Sequence, residues 1–250
     1  MNITIDIETI PQQGDALELE IEEAKNNFKA PSSLTKTQAA KDLGITDSKE
    51  IKYTSADDMR ARWEREMPEI NPAIIVESAE KEWRKTSFDG GKGEVISIAW
   101  AVEDGEIEGE YRHLGDCEST MIRSCFDFIH HQLNDRPPFF IGHNIEFDLK
   151  FLFRRAVVLG IKPPFELPHN GRHGVQYWDN MIAWCGFKDR ISQDNLAKAL
   201  GLKGKPDAID GSLVWDYVKA GKELEVSNYN IDDVDQCRQI YNKLNFKGRK

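Results

Sequence analysis

Residues 2–10, NITIDIETI, alternate apolar and polar up to Glu8 and are closed by Pro11. Ile3, Ile5 and Ile7 fall on one face of a period-two strand, with Thr4, Asp6 and Glu8 on the other. A strand needs sheet partners, and the next strand pattern comes only at about 94–102, EVISIAWAV. The residues between, about 12–90, are charged and helix-favouring. Leu17, Ile21, Ala24 and Phe28 mark one amphipathic helix, and Ile75, Ala79 and Trp83 mark another. Ala30-Pro31-Ser32-Ser33 reads as a break, and a polar stretch runs through the forties and fifties. The expectation is a helical insertion after the first strand. Within it, TKTQAAKDLGIT has the pattern of the first half of a helix-turn-helix, but no basic recognition helix follows.

In FDGGKGEV the glycines precede a strand, whereas a phosphate-cradling loop needs them between a strand and a helix, so a turn is expected. A second strand near 109–114 pairs with 94–102 as a hairpin across Glu103-Asp104-Gly105. The pattern then predicts a helix over 118–133 and a short buried strand over Pro138 to Gly142. A helix from Asn144 to about Val158 follows, with Asn144 as its N-cap and Gly160 beyond its end. Later come a short strand near 175–179, a helix near 193–200 capped by Ser192, and a final helix over about 223–245. This order predicts the α/β class, with a mixed sheet flanked by helices. At 250 residues the chain is expected to be one enlarged domain carrying the insertion rather than two full domains.

The formal charge of −10 gives no global positive field for nucleic acid or anionic membrane, so a polyanion must bind locally, with metal help. Cys117, Cys125, Cys185 and Cys237 have no C-x-x-C spacing, which argues against structural zinc and fits reduced thiols of a cytoplasmic protein. No apolar run approaches the ~20 residues of a membrane span, and the amino terminus does not read as a leader. A soluble protein that engages no membrane is expected.

Two helices carry acids where apolar residues belong. In the final one, Val226, Tyr229, Asp233, Cys237, Ile240 and Leu244 step by three or four residues and share a face, while Asp232 and Asp235 point to water. In EFDLKFLFRRA, Asp148 shares a face with Leu152 and Ala156, a face that packs on the sheet. A buried acid held by Arg154 or Arg155 is the structural reading of Asp148. With Asp6 and Glu8, however, the two inward acids make four carboxylates that can meet at one sheet face. They would repel unless divalent cations sat between them, and hard oxygen ligands suit magnesium or manganese. Asp179, between a strand and a helix, reads as a cap instead. His169 and His173 lie in PHNGRHG, whose proline and glycines disfavour the helix a zinc pair would use.

The order D-x-E (Asp6, Glu8), N-x-x-x-D (Asn144, Asp148) and Y-x-x-x-D (Tyr229, Asp233) resembles the DEDD, or DnaQ-like, exonucleases in their tyrosine-bearing branch. The blocks IDIETIP, GHNIEFDLKFLFRRA, YWDNMIAW, NLAKALGLKGKPDAIDGSLVWDYVKAGK and YNIDDVDQCRQIYNKL are similar, in order, to stand-alone relatives of the family B polymerase proofreading domain. The resemblance implies a ribonuclease H-like fold and a two-metal 3′→5′ exonuclease that releases nucleoside monophosphates. It also implies two Mg²⁺ or Mn²⁺ ions on Asp6, Glu8, Asp148 and Asp233, with Tyr229 orienting a water. The departure from the family is the long insertion.

For substrate contacts, His143, Asn144 and Phe147 flank the second motif, where a ring such as Phe147 can stack on a base or pack in the core. Lys205 and Lys203, with the tail Lys247, Arg249 and Lys250, are candidate phosphate contacts or ordinary solvated lysines. The expected partners are single-stranded DNA 3′ ends, RNA as the alternative substrate, and a polymerase or other replication protein. A third reading is a catalytically silent fold that uses the insertion for docking. The full set of four acids and the tyrosine counts against it.

Overall fold

The computed structural model describes residues 1–204 and 209–247. Five strands, Asn2–Ile10 (β1), Glu94–Val102 (β2), Ile107–Tyr111 (β3), Phe139–Gly142 (β4) and Tyr177–Asp179 (β5), form one sheet in the order β3-β2-β1-β4-β5. The first strand is central, antiparallel to β2 and parallel to β4, so the sheet is mixed. Asp6 lies opposite Ala99 and Glu8 opposite Ser97, and the register shifts between Glu8 and Thr9. Such a bulge twists the strand just past the two acids.

The chain divides into two compact units, Gln12–Lys85 and the rest. The first is all helical: Ala16–Asn27 (α1), Lys36–Asp42 (α2), Ser48–Tyr53 (α3), Ala56–Ile70 (α4) and Ala73–Arg84 (α5). It has its own core, in which Met59, Trp63 and Met67 of α4 pack with Ala39 and Ala40 of α2, and Phe28 stacks on Trp63 at 5.5 Å. The polar stretch of the forties and fifties is therefore helical. Thr35, Asp47 and Ser55 each accept a backbone N–H at the start of a helix, as short polar side chains do.

In the other unit, Glu118–Leu133 (α6) and Glu146–Val158 (α7) enclose the main core with Ile3, Ile5 and Ile7. Fully burying each such side chain is worth about 1.5–3 kcal/mol. The helices Asn180–Cys185 (α8), Gln193–Ala199 (α9), Val214–Lys219 (α10) and Glu223–Leu244 (α11) follow. The last packs on β1, β2 and β3. Glycine at 109 permits this approach, since a Cβ there would lie 2.8 Å from Ile231 Cδ1. The Thr4, Asp6 and Glu8 face of β1 is thus under a helix rather than in water, and Thr4 and Glu8 are buried.

Three local expectations change. The third strand is Ile107–Tyr111 rather than 109–114, and the fifth starts at Tyr177 rather than 175. Asn144 is not the N-cap of α7: the helix opens at Glu146 after Ile145, without a side-chain cap. Asn144 instead takes the left-handed conformation (φ 59°), which asparagine tolerates, and closes the turn after Gly142. Ser192 caps α9 as expected. Among the described residues no helix is long and apolar enough to cross a membrane.

Candidate active site

Two elements bring three of the acids together. The strand β1 presents Asp6 and Glu8 on one face, and α11 lies over that face with Asp233 turned down among Val226, Val234 and Cys237. Oxygens of Asp6, Glu8 and Asp233 all lie within 4.8 Å of one another, the one such His, Cys, Asp or Glu cluster among the described residues. Asp148 is not one of the three clustered acids: its helix α7 packs on the Ile3, Ile5 and Ile7 side of β1, so, contrary to expectation, the four do not meet at one sheet face. Asp148 is 4% exposed, and its Oδ1 accepts the Ile7 N–H at 3.3 Å. Burial, and then the charge of Asp6, push its carboxyl well above the usual range. The arginines of its own helix are engaged elsewhere: Arg155 with Glu118, and Arg154 with Asp89 at 3.3 Å. The structural reading of Asp148 as an arginine's partner is therefore set aside.

Tyr229 stands one helical turn before Asp233 and is half-buried. Burial, followed by the charges of Glu8 and Asp6, pushes its phenol up, so it remains a protonated donor at neutral pH. Asp232 is exposed, and Asp235 is half-exposed, where it accepts from Gln239 at 2.8 Å. Asp179 caps α8: its Oδ1 accepts from Met181 and Ile182 at 2.9 and 3.3 Å, and from the Asn144 N–H at 3.0 Å.

Of the candidate substrate contacts, Asn144 is exposed, and His143 is half-buried with its Nε2 2.8 Å from the Ile191 carbonyl. Phe147 is half-buried at the edge of the core, its ring 5.6 Å from Phe151. Lys203 and Lys247 are exposed, whereas Lys205, Arg249 and Lys250 lie outside the described residues. The two histidines of PHNGRHG serve separate roles. His169 stacks on Phe153 at 3.5 Å, and His173 Nδ1 accepts the Asp179 N–H at 3.0 Å.

Three residues at the site carry no signal that the sequence reading used. Asn230, wholly buried, donates from Nδ2 to Asp6 Oδ2 at 2.6 Å and accepts at Oδ1 from Ser97 Oγ at 3.2 Å. Gln193 Nε2 donates both to the Asp233 carbonyl and to its Oδ1, each at 2.9 Å. Their only sequence trace is polar residues at positions of α9, α11 and β2 that turn inward.

A mixed sheet of this order, flanked by helices, with an acid cluster between β1 and α11, defines a ribonuclease H-like α/β fold of the exonuclease type. Residues 92–248 match the family described as "Predicted 3'-5' exonuclease related to the exonuclease domain of PolB", and the chain belongs to that family. Asp6 and Glu8 lie outside the matched residues and join the others through the pairing of β1 with β2. The fold is similar to that of the family B DNA polymerase from the hyperthermophilic archaeon Pyrobaculum calidifontis, with TM-score 0.54 and 17% identity. That likeness covers 97% of this chain and 24% of the polymerase, so the chain spans about a quarter of its length. No curated protein matches the chain by sequence.

Proposed function

We propose that this protein is a metal-dependent 3′→5′ exonuclease that hydrolyses the terminal phosphodiester of single-stranded DNA and releases nucleoside 5′-monophosphates. The observation that carries the reading is the convergence of Asp6, Glu8 and Asp233, with Asp148 beside Asp6. The donor set fits divalent ions. It is made of carboxylates alone, close enough to share an ion, and Asp148 is buried beside a like charge that a cation would offset. Asp6, Glu8, Asp148 and Asp233 would hold two Mg²⁺ or Mn²⁺ ions, which when bound supply charge for the phosphodiester and activation of a water.

The chain's own residues do the rest. The phenol of Tyr229, kept protonated, holds the attacking water by a hydrogen bond in line with the scissile bond. Glu8, fixed on the strand, would contact the terminal sugar as well as a metal. His143, Asn144 and Phe147 stand at the mouth of the second motif, where a ring stacks on or wedges against the terminal base. Lys203 is exposed, and Lys203 and Lys205, two residues apart in the sequence, are the proposed phosphate contacts. The four free thiols suit a cytoplasmic setting, and a polymerase or other replication protein is the proposed partner.

The test is an end-labelled assay. Single-stranded DNA and RNA labelled at the 5′ end are incubated with Mg²⁺, Mn²⁺ or EDTA. The reading predicts a metal-dependent ladder on DNA shortened one nucleotide at a time from the 3′ end. Internal fragments, or equal activity in EDTA, would overturn it, and a ladder on RNA alone would move the substrate assignment.

A further inference from the structure

The two carboxamides at the site point to a device that the recognised motifs do not contain. A carboxylate only accepts, so the group that Asn230 turns to Asp6 must be its NH₂, which leaves its carbonyl for the Ser97 hydroxyl. The chain Ser97 Oγ to Asn230 to Asp6 therefore has one direction and ties β2, α11 and β1 together at the point where Glu8 pairs with Ser97. Gln193 works likewise on the other side, its NH₂ spanning the backbone carbonyl and the carboxylate of Asp233. Both hold an acid from a different element: α11 holds Asp6 of β1, and the first residue of α9 holds Asp233 of α11.

The choice of an amide matters. A lysine or arginine at either position would orient the carboxylate equally well, but it would add a positive charge and form an ion pair that a dication must displace. An amide fixes one carboxylate oxygen and brings no charge of its own. Asn230 is 0% exposed, so its geometry is set by packing rather than by solvent.

We infer that Asn230 and Gln193 are positioning residues that preset the carboxylates of Asp6 and Asp233 for divalent cations without neutralising them. This rests on the reading of these acids as metal ligands. Outer residues of this kind are worth roughly 10- to 100-fold in metal affinity or activity. The effect is expected mainly in the metal concentration needed for half-maximal rate, with kcat recovering at high metal.

The test is calorimetric titration of the full chain with Mn²⁺, alongside nuclease rates over a range of Mn²⁺. The variants are Asn230→Ala, Ser97→Ala, Gln193→Ala and Gln193→Arg. Asn230→Ala and Gln193→Ala are expected to bind Mn²⁺ about 10- to 100-fold more weakly and to regain most of their rate at high Mn²⁺. Ser97→Ala, which keeps the amide on Asp6, should lose less than Asn230→Ala. Gln193→Arg should lose more than Gln193→Ala because it adds the competing charge. The half-buried Gln193 keeps the test open if a change at wholly buried Asn230 impairs folding, which circular dichroism reports. Wild-type Mn²⁺ affinity in Gln193→Ala overturns the inference while leaving the ligand assignment standing. A wild-type chain that takes up no Mn²⁺ overturns the ligand assignment itself.

Discussion

The buried carboxylate of Glu118 and the acid cluster of Asp6, Glu8 and Asp233 lie in the same unit, and the fold treats them differently. Glu118, at the start of α6, accepts the Val95 N–H at 2.7 Å and is met by the guanidinium of Arg155 from α7, whose Nε lies 2.9 Å from its Oε1. At the other group, Asp6, Glu8 and Asp233 share a space 4.8 Å across, Asp148 lies beside Asp6, and the side chains shown donating to Asp6 and Asp233 are amides. The first arrangement is complete as it stands. The second gathers acids whose like charges repel one another. Glu118 is held by a guanidinium, whereas the donors described at Asp6 and Asp233 are the amides of Asn230 and Gln193.

The comparison breaks most visibly at Arg155. Arg155→Met leaves Glu118 buried without its cation and is expected to cost about 3 to 5 kcal/mol in chemical denaturation. Adding Glu118→Gln should recover most of that, because the amide oxygen still accepts from Val95. If Arg155→Met costs under about 1 kcal/mol, the ion pair is not what holds that corner.

At the other group the order of effects reverses. Asp233→Ala should lower the nuclease rate by on the order of 10³-fold, about 4 kcal/mol of transition-state stabilisation. Its melting temperature in EDTA should be unchanged or higher, since one of the three clustered acids is gone. A fall in stability would mean that Asp233, like Glu118, is a structural acid.

Tyr229→Phe should be slowed by roughly 10- to 100-fold with little change in KM, because only the orientation of the water is lost. The phenol of the wild type is pushed up, so its ionisation causes no fall in rate between about pH 7 and 9. A fall there that Tyr229→Phe abolishes would assign the tyrosine a proton-transfer role instead.

The smallest effect lies next to the ion pair. The exposed Cys117 precedes Glu118, and hydrogen bonds with the Ser119 side chain, then that of Thr120, lower its thiol to about 7. Alkylation followed by mass spectrometry should reach half its limiting rate near that pH, while burial pushes the Cys125 thiol up and keeps it unreactive. In Arg155→Met the Cys117 midpoint should rise toward about 8.5 as the first turn of α6 loosens.

What was legible in the sequence follows the same division. Asp148 and Asp233 stood out because a charge inside an apolar stripe breaks a helical period, whereas Asp6 and Glu8 alone read as the polar face of a strand and gained meaning only beside those two. Asn230 and Gln193 broke no pattern. An amide in a polar run looks the same whether it meets water or a carboxylate, and only the packing of α11 on β1, and of α9 on α11, decides. Asn144 suited an N-cap by residue type, but the tight turn after Gly142 needed a left-handed residue. A Cβ on Gly142 would lie 2.6 Å from that of Ile145. In the helical unit, α2 and α3 span 7 and 6 residues, too short to show a period. The helix α4 does show one, with Met59, Trp63 and Met67 four residues apart and all buried, inside a stretch whose charge concealed it.

The central claim, that β1, α7 and α11 build one metal-binding site, is tested most directly by anomalous diffraction from crystals soaked in Mn²⁺. The account predicts peaks within about 2.0–2.3 Å of carboxylate oxygens of Asp6, Glu8, Asp148 and Asp233, and none there in Asp233→Ala. Peaks confined to other acids, with these four carboxylates metal-free at saturating Mn²⁺, would contradict it.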